Sequence, residues 1–286
     1  MLNLNIVLFI GIYVKYTDKY IRCPHCERVG EVVFESDVQD IRRAFCRSCD
    51  HKLKVYDGIP DFAGHMDLAS PVAEPAQKLM NTRLFASLYE SPIWRPLHTR
   101  MGTGISMNQE VRAVLEMSGK EKAHLVADLA CGTGHYARAL TGAFPGAAVY
   151  GLDISLSMLA QGRKVAKRNG LTDIMFLRGD IHLLPFENHS VDRVNCGGAL
   201  HLFPELTAIW KEISRVLKPG GVFTAMTLTL APGVIGKIQR WLIGRGKVTF
   251  FQPDQLAVDL SAVGFSSFRY QQHQVSLLFS VFKEPG

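Results

Sequence analysis

The chain has 286 residues, 47% of them apolar and 20% charged, with a formal charge of +6. Such ordinary globular usage excludes long disorder and collagen-like order, and it leaves enough apolar material for a sizeable core. The size suits one large domain or two modest ones, and the mild basicity permits an anionic partner without demanding one.

Residues 1–65 hold nine Lys/Arg and nine Asp/Glu, so the whole positive excess falls in residues 66–286. The chain opens on an apolar run from Ile6 to Val14. Nine helical residues reach about 14 Å, less than half a bilayer core. No Lys or Arg precedes the run, so the basic start of a secretory signal is missing. Residues 1–20 are expected to form an apolar extension holding a buried strand or short helix, with weak membrane contact as the alternative. The protein is expected to be soluble and cytoplasmic.

Six cysteines follow. Cys23 and Cys26 form C-P-H-C, Cys46 and Cys49 form C-R-S-C, and nineteen residues separate the pairs. Each C-x-x-C suits a tight turn that aims two thiolates at one point, and two such knuckles on a hairpin make a tetrahedral cage for Zn2+. The stretch between them supplies two expected strands, Gly30–Phe34 and Ile41–Phe45. Missing secretion and thioredoxin-like signals disfavour disulfides and redox pairs. Four thiolates leave no open coordination position, so the metal is expected to be structural, with His25 and His51 outside its ligand set. The module, residues 21–64, ends on Val55-Tyr56-Asp57-Gly58-Ile59-Pro60-Asp61-Phe62. Its knuckles and this aromatic-x-Gly-Ile-Pro tail resemble the small zinc-ribbon family whose members partner and activate methyltransferases. The resemblance implies a folding or scaffolding module.

Residues 65–107 read as a connector punctuated by Pro71, Pro75, Pro92 and Pro96. Near-helical apolar spacing runs from Ala76 to Tyr89. The connector either packs on the main domain or forms a lid, in which case Trp94 and His98 would line a substrate pocket.

From residue 108 strands and helices alternate. Helices are expected over Asn108–Met117, His135–Ala143, Ser155–Asn169 and Glu205–Leu217. Strands are expected over His124–Leu129, Ala147–Leu152, Ile174–Leu177, Val191–Asn195 and Val222–Thr227, with a closing antiparallel pair between Gly264 and Phe282. This order argues for an α/β fold, a parallel sheet with helices on both faces. Ligands in such sheets sit at the carboxyl ends of the strands. The turn Ala130-Cys131-Gly132-Thr133-Gly134 leaves the first strand there. Asp153 closes the second strand, where a carboxylate can accept both hydroxyls of a ribose, and Asp180 closes the third. The third glycine of a dinucleotide fingerprint is replaced by His135. Asp128 before the turn suits a cationic amine better than a phosphate. A ligand with an amino-acid end and an adenosine end, S-adenosylmethionine, meets both conditions.

Five motifs in order carry a second resemblance: D-L-A-C-G-T-G at Asp128–Gly134, G-L-D-I-S-L-S-M-L at Gly151–Leu159, R-G-D-I-H-L-L-P-F at Arg178–Phe186, G-A-L-H-L-F-P at Gly198–Pro204 and E-I-S-R-V-L-K-P-G-G at Glu212–Gly221. Residues 124–227 resemble the class I S-adenosylmethionine-dependent methyltransferases of the ubiquinone/menaquinone-type branch, and residues 108–286 are expected to form that domain with its Rossmann-like sheet. The resemblance implies that Asp128, Ala130, Cys131, Gly132 and Gly134 hold the methionine end. It places Asp153 on the ribose and Ile154 on the adenine face. Asp180 and Ile181 would meet the adenine edge, and Cys196 and Gly197 would lie near the methyl group. Cys131 is expected to pack rather than react. His201 is the candidate proton acceptor, and Leu200 and Phe203 the expected apolar walls.

The expected activity is methyl transfer to a small or lipophilic organic acceptor. An RNA base methyltransferase with an N-terminal zinc module is the alternative, disfavoured by the neutral ribbon because RNA affinity rests largely on phosphate contacts. A non-catalytic cofactor-binding protein is the third reading. Residues 232–253 contain no acid but hold Lys237, Arg240, Arg245 and Lys247, a solvated face or a peripheral membrane contact. The oligomeric state is not legible in the sequence.

Overall fold

A computed structural model describes residues 14–37, 40–64, 104–230, 236 and 249–285. Trp94, His98, most of the expected connector and apolar extension, and the basic stretch 237–247 lie outside these residues.

The N-terminal module is a four-stranded antiparallel sheet of β1 (Val14–Thr17), β2 (Val32–Ser36), β3 (Ile41–Cys46) and β4 (Lys52–Leu53), in that order. The sheet starts earlier than the expected boundary at residue 21, because Val14 pairs with Ser36 and Thr17 with Val33. A hairpin of β5 (Val55–Tyr56) and β6 (Ile59–Pro60) follows. Its two turn residues, Asp57 and Gly58, have φ of 49° and 76°. Two left-handed residues give the turn whose twist matches the flanking strands, and Asp-Gly is a sequence that tolerates them.

The larger sheet has seven strands. They are β7 (Leu125–Leu129), β8 (Ala148–Asp153), β9 (Ile174–Arg178), β10 (Val191–Gly197), β11 (Leu217–Leu228), β12 (Phe265–His273) and β13 (Ser276–Lys283). The order is β12-β13-β11-β10-β7-β8-β9. Strands β7 to β11 pair in parallel, and β13 and β12 close the sheet antiparallel. Every residue of β7 is buried, the four apolar side chains and Asp128 alike, as befits a strand covered on both faces. The helices are α1 (Met107–Met117), α2 (His135–Ala143), α3 (Leu156–Arg168), α4 (Leu206–Val216) and α5 (Pro253–Ser261). Ser106 and Gln109 cap α1 reciprocally, and Ser155 caps α3 by accepting from the Met158 amide. Sequence reasoning missed α5, which buries only Leu256 and Leu260 and so has almost no apolar period. Strand β11 also begins five residues before the expected Val222, straight after α4.

The two sheets are joined. Ile21 bridges Phe186, the Arg22 amide donates to Pro185 O (3.1 Å), and the Glu187 amide donates to Tyr20 O (2.9 Å). Asp61 bridges Arg178 in parallel, and the Phe62 amide donates to Arg178 O (2.8 Å). The ribbon thus meets the carboxyl end of β9, the outer strand of the larger sheet, and the loop that follows it. One apolar core holds Ile21, Phe34 and Phe62 of the ribbon together with Leu129, Leu152 and Phe186. No helix among the described residues is long and apolar enough to cross a membrane.

Candidate functional site

Strand order reverses at β7, which has β8 on one side and β10 on the other. The crevice at such a reversal, beyond the carboxyl ends, is where open α/β sheets bind ligands. The turn leaving β7 is sharply left-handed: φ is 48° at Ala130, 55° at Gly132 and 71° at Gly134. Glycine adopts this region freely, whereas an L-residue such as Ala130 is strained by about 1–2 kcal/mol. A side chain at Gly132 would meet only the Met158 methyl, at 3.6 Å, so the turn leaves room for close approach.

Two carboxylates lie beside this turn. Asp128, fully buried, accepts from Asn195 Nδ2 (2.7 Å) through one oxygen and from the Ala137 amide (2.9 Å) through the other. Asn195 Oδ1 in turn accepts from the Thr224 hydroxyl (3.2 Å), so β7, β10, β11 and α2 share one polar network. Burial pushes the Asp128 carboxyl up to about 7. Asp128 therefore ties the end of β7 to β10 and to the first turn of α2, the helix that the glycine turn leads into. Asp153 is half-buried at the end of β8. Its Oδ2 accepts from the Gly132 amide (2.7 Å) and its Oδ1 from the Ser155 amide (2.9 Å). Burial raises its pKa as well. Each oxygen has one donor and can accept another.

The neighbouring positions complete the rim. Ile154 is half-buried, and its carbonyl accepts from Arg178 Nε (3.1 Å). Asp180 Oδ1 accepts from the His182 amide (2.9 Å) and lies 2.8 Å from His182 Nδ1. Ile181 is buried. Cys131 and Cys196 are buried thiols whose pKa values burial drives upward, so both pack rather than react. Gly197 is half-buried under the Tyr136 ring, and a Cβ there would lie 2.1 Å from the ring. The Tyr136 hydroxyl donates to Glu110 of α1. Neither Tyr136 nor Glu110 was legible as a site residue, since no motif spacing links them.

His201 sits in a short turn, Leu200–Leu202, after β10. Its Nδ1 is buried and has no hydrogen-bond partner among the described residues, and burial pulls its pKa down to about 4. The imidazole is therefore neutral near pH 7. Leu200, expected on the pocket wall, is fully buried in the main core and offers no open surface. The apolar surface of these loops is instead Leu183 and Leu202, both exposed, with Phe203 half-buried against the His182 ring. A leucine's placement between core and rim depends on loop path, which the sequence does not encode locally.

In the ribbon, the four expected cysteines converge, with all Sγ atoms within 4.8 Å of one another. Cys23 and Cys49 sulfurs are 3.8 Å apart, and those of Cys26 and Cys46 are 3.7 Å apart. A tetrahedron of thiolates around an ion with bonds of about 2.3 Å has edges of about 3.8 Å. A disulfide would need about 2.0 Å. The cluster can hold one metal ion. His25 and His51 stack on each other, ring centroids 5.2 Å apart, outside the four sulfurs.

Residues 127–225 match the family model described as a methyltransferase domain. An uncharacterized chloroplastic methyltransferase of Arabidopsis thaliana is 33% identical over 190 residues, 64% of this chain and 53% of that protein. A demethylmenaquinone methyltransferase of Geobacillus kaustophilus is 34% identical over 143 residues, 49% of this chain and 61% of that protein. The chain thus spans between half and two thirds of the length of these curated relatives. Among solved structures, the complex between the Haloferax volcanii Trm112 methyltransferase activator and a methyltransferase aligns with a TM-score of 0.56 at 20% identity, covering 71% of this chain and 97% of the matched one. The fold of the larger sheet is the class I methyltransferase fold.

Proposed function

We propose that this chain is an S-adenosylmethionine-dependent methyltransferase acting on a small, lipophilic organic acceptor. One observation carries the reading: at the strand-order reversal, the Asp153 carboxylate receives the Gly132 amide and still has accepting capacity. That arrangement suits a ribose beside a close-packed backbone turn. Two acids, Asp128 and Asp153, at the ends of β7 and β8 favour a cationic ligand over a pyrophosphate, because a phosphate beside them would meet like charge. When bound, S-adenosylmethionine supplies an already activated methyl group. The chain's own residues then hold it, orient the acceptor and exclude water. Asp153 and the turn hold the nucleoside and methionine ends, while Leu202 and Phe203 offer apolar contact. His201, neutral at pH 7, offers a hydrogen-bond acceptor to an acceptor's proton. The relative that methylates demethylmenaquinone supports a quinone-like acceptor.

We also assign the thiolate cluster to zinc, which takes four sulfurs tetrahedrally without redox chemistry. Elemental analysis of the purified chain should find about one zinc per molecule.

Methyl-labelled S-adenosylmethionine, incubated with the purified chain and an extract of its source, tests the activity. Label is expected in the organic-soluble fraction and should depend on Asp153, with Asp153→Ala weakening cofactor binding about a hundredfold or more while the fold persists. Label in RNA would overturn the acceptor assignment. Unchanged cofactor affinity in the variant would overturn the site.

A further inference from the structure

We infer that Asp61, in the tail of the zinc ribbon, is a positioning residue for the cofactor site. This rests on the S-adenosylmethionine reading above and goes beyond it by assigning the ribbon a part in binding. Asp61 and Arg178 form a buried ion pair, Arg178 Nη1 donating to Asp61 Oδ2 at 2.7 Å. The same guanidinium donates through Nε to the carbonyl of Ile154 at 3.1 Å. Ile154 follows Asp153 directly, and Arg178 is the register partner of Asp153 across β8 and β9. A guanidinium is a rigid planar fork, so fixing one arm on Asp61 fixes the direction of the other. The ribbon thereby sets the path of the loop that presents the Asp153 carboxylate.

The far side of that loop is tied to the ribbon as well. Helix α3 begins at Leu156, and its Arg163 donates to Asp57 O (2.7 Å) and to the Asp40 carboxylate, while Lys167 reaches Asp40 at 2.7 Å. Both elements that flank the loop are therefore anchored on one module, the strand side through a buried contact. Asp18 provides the internal comparison. It is also a buried ribbon carboxylate, but it accepts from the Tyr150 hydroxyl in the middle of β8, away from the loop.

The experiment measures S-adenosylmethionine affinity by calorimetry on the zinc-loaded full chain and on Asp61→Asn, Arg178→Lys and Asp18→Asn. Zinc content and circular dichroism are recorded for each. Asp61→Asn and Arg178→Lys should each raise the dissociation constant about tenfold with zinc retained, whereas Asp18→Asn should stay within about twofold of the parent. Arg178→Lys keeps the charge opposite Asp61 but loses the fork, so it decides the matter even where Asp61→Asn folds poorly. Parental affinity in Arg178→Lys overturns the relay, and so does an equal loss in Asp18→Asn, which would mark general loosening of the ribbon. A parent chain that binds no S-adenosylmethionine overturns the cofactor reading itself, and is distinguished from failure of the relay because the unaltered protein already shows it.

Discussion

Ala130 shows how a single residue can carry both strain and function. It occupies a left-handed position at φ 48°, in a turn where glycine would be relaxed. Ala130→Gly should relieve strain while adding some freedom to the unfolded chain, for a net gain of up to about 1 kcal/mol, or about 2–4 °C in Tm. A lower melting temperature in thermal denaturation would show that the turn is not strained. His201 is a second case. Its pKa is depressed to about 4 by burial, so it stays neutral from pH 6 upward. Proton acceptance by His201 then puts no acid limb near pH 6.5 into the methyl-transfer profile. His201→Gln should leave the limbs between pH 6 and 9 where they are; a limb near 6.5 that vanishes in the variant would refute the depressed pKa. The imidazole was legible as a candidate from its place after the fourth strand, but its protonation state came from the packing around it.

At the scale of elements, the ribbon was the most legible part of the chain. Cysteine spacing alone fixes two knuckles and a hairpin, and the four sulfurs meet as that spacing requires. Cys46→Ser removes one corner of the tetrahedron. It should cost the bound metal and lower the melting temperature, read by elemental analysis and thermal denaturation. Retained metal at one equivalent would contradict a four-thiolate site. The tail was legible only as a pattern. Its Gly-Ile-Pro run is a tight hairpin that delivers Ile59 to the cluster holding Leu159 and Phe176, and Phe62 to the main core. Helix α5 was invisible because two buried leucines on one turn spacing do not make a period.

For the whole molecule, the ribbon shares one apolar core with the larger sheet and bridges the last residue of β9. Thermal unfolding of the zinc-loaded chain should be one cooperative transition in calorimetry, and an early separate ribbon transition would contradict the shared core. Asp18 reports on the same junction. Burial raises its pKa from 3.8 to about 6, so the folded state holds that proton more tightly than the unfolded one. The associated stability is present below pH 4 and is lost as pH rises to 6. Relative to the parent, Asp18→Asn should therefore gain stability over that window, by about 3 kcal/mol at most, in denaturant titrations at pH 4.5 and 7. A difference that does not change with pH would mean the carboxyl is not buried in solution. The sequence by itself determined the strand–helix alternation, the glycine turn with its acids and the four thiolates, because those signals are local: periodicity, turn chemistry and short spacing. Only the tertiary structure decided that Asp128 is bound by Asn195 and the Ala137 amide, that Leu200 is core, and that Asp61 reaches Arg178 across 117 positions of sequence. Such facts depend on which surfaces meet when the chain closes, and no local pattern encodes them.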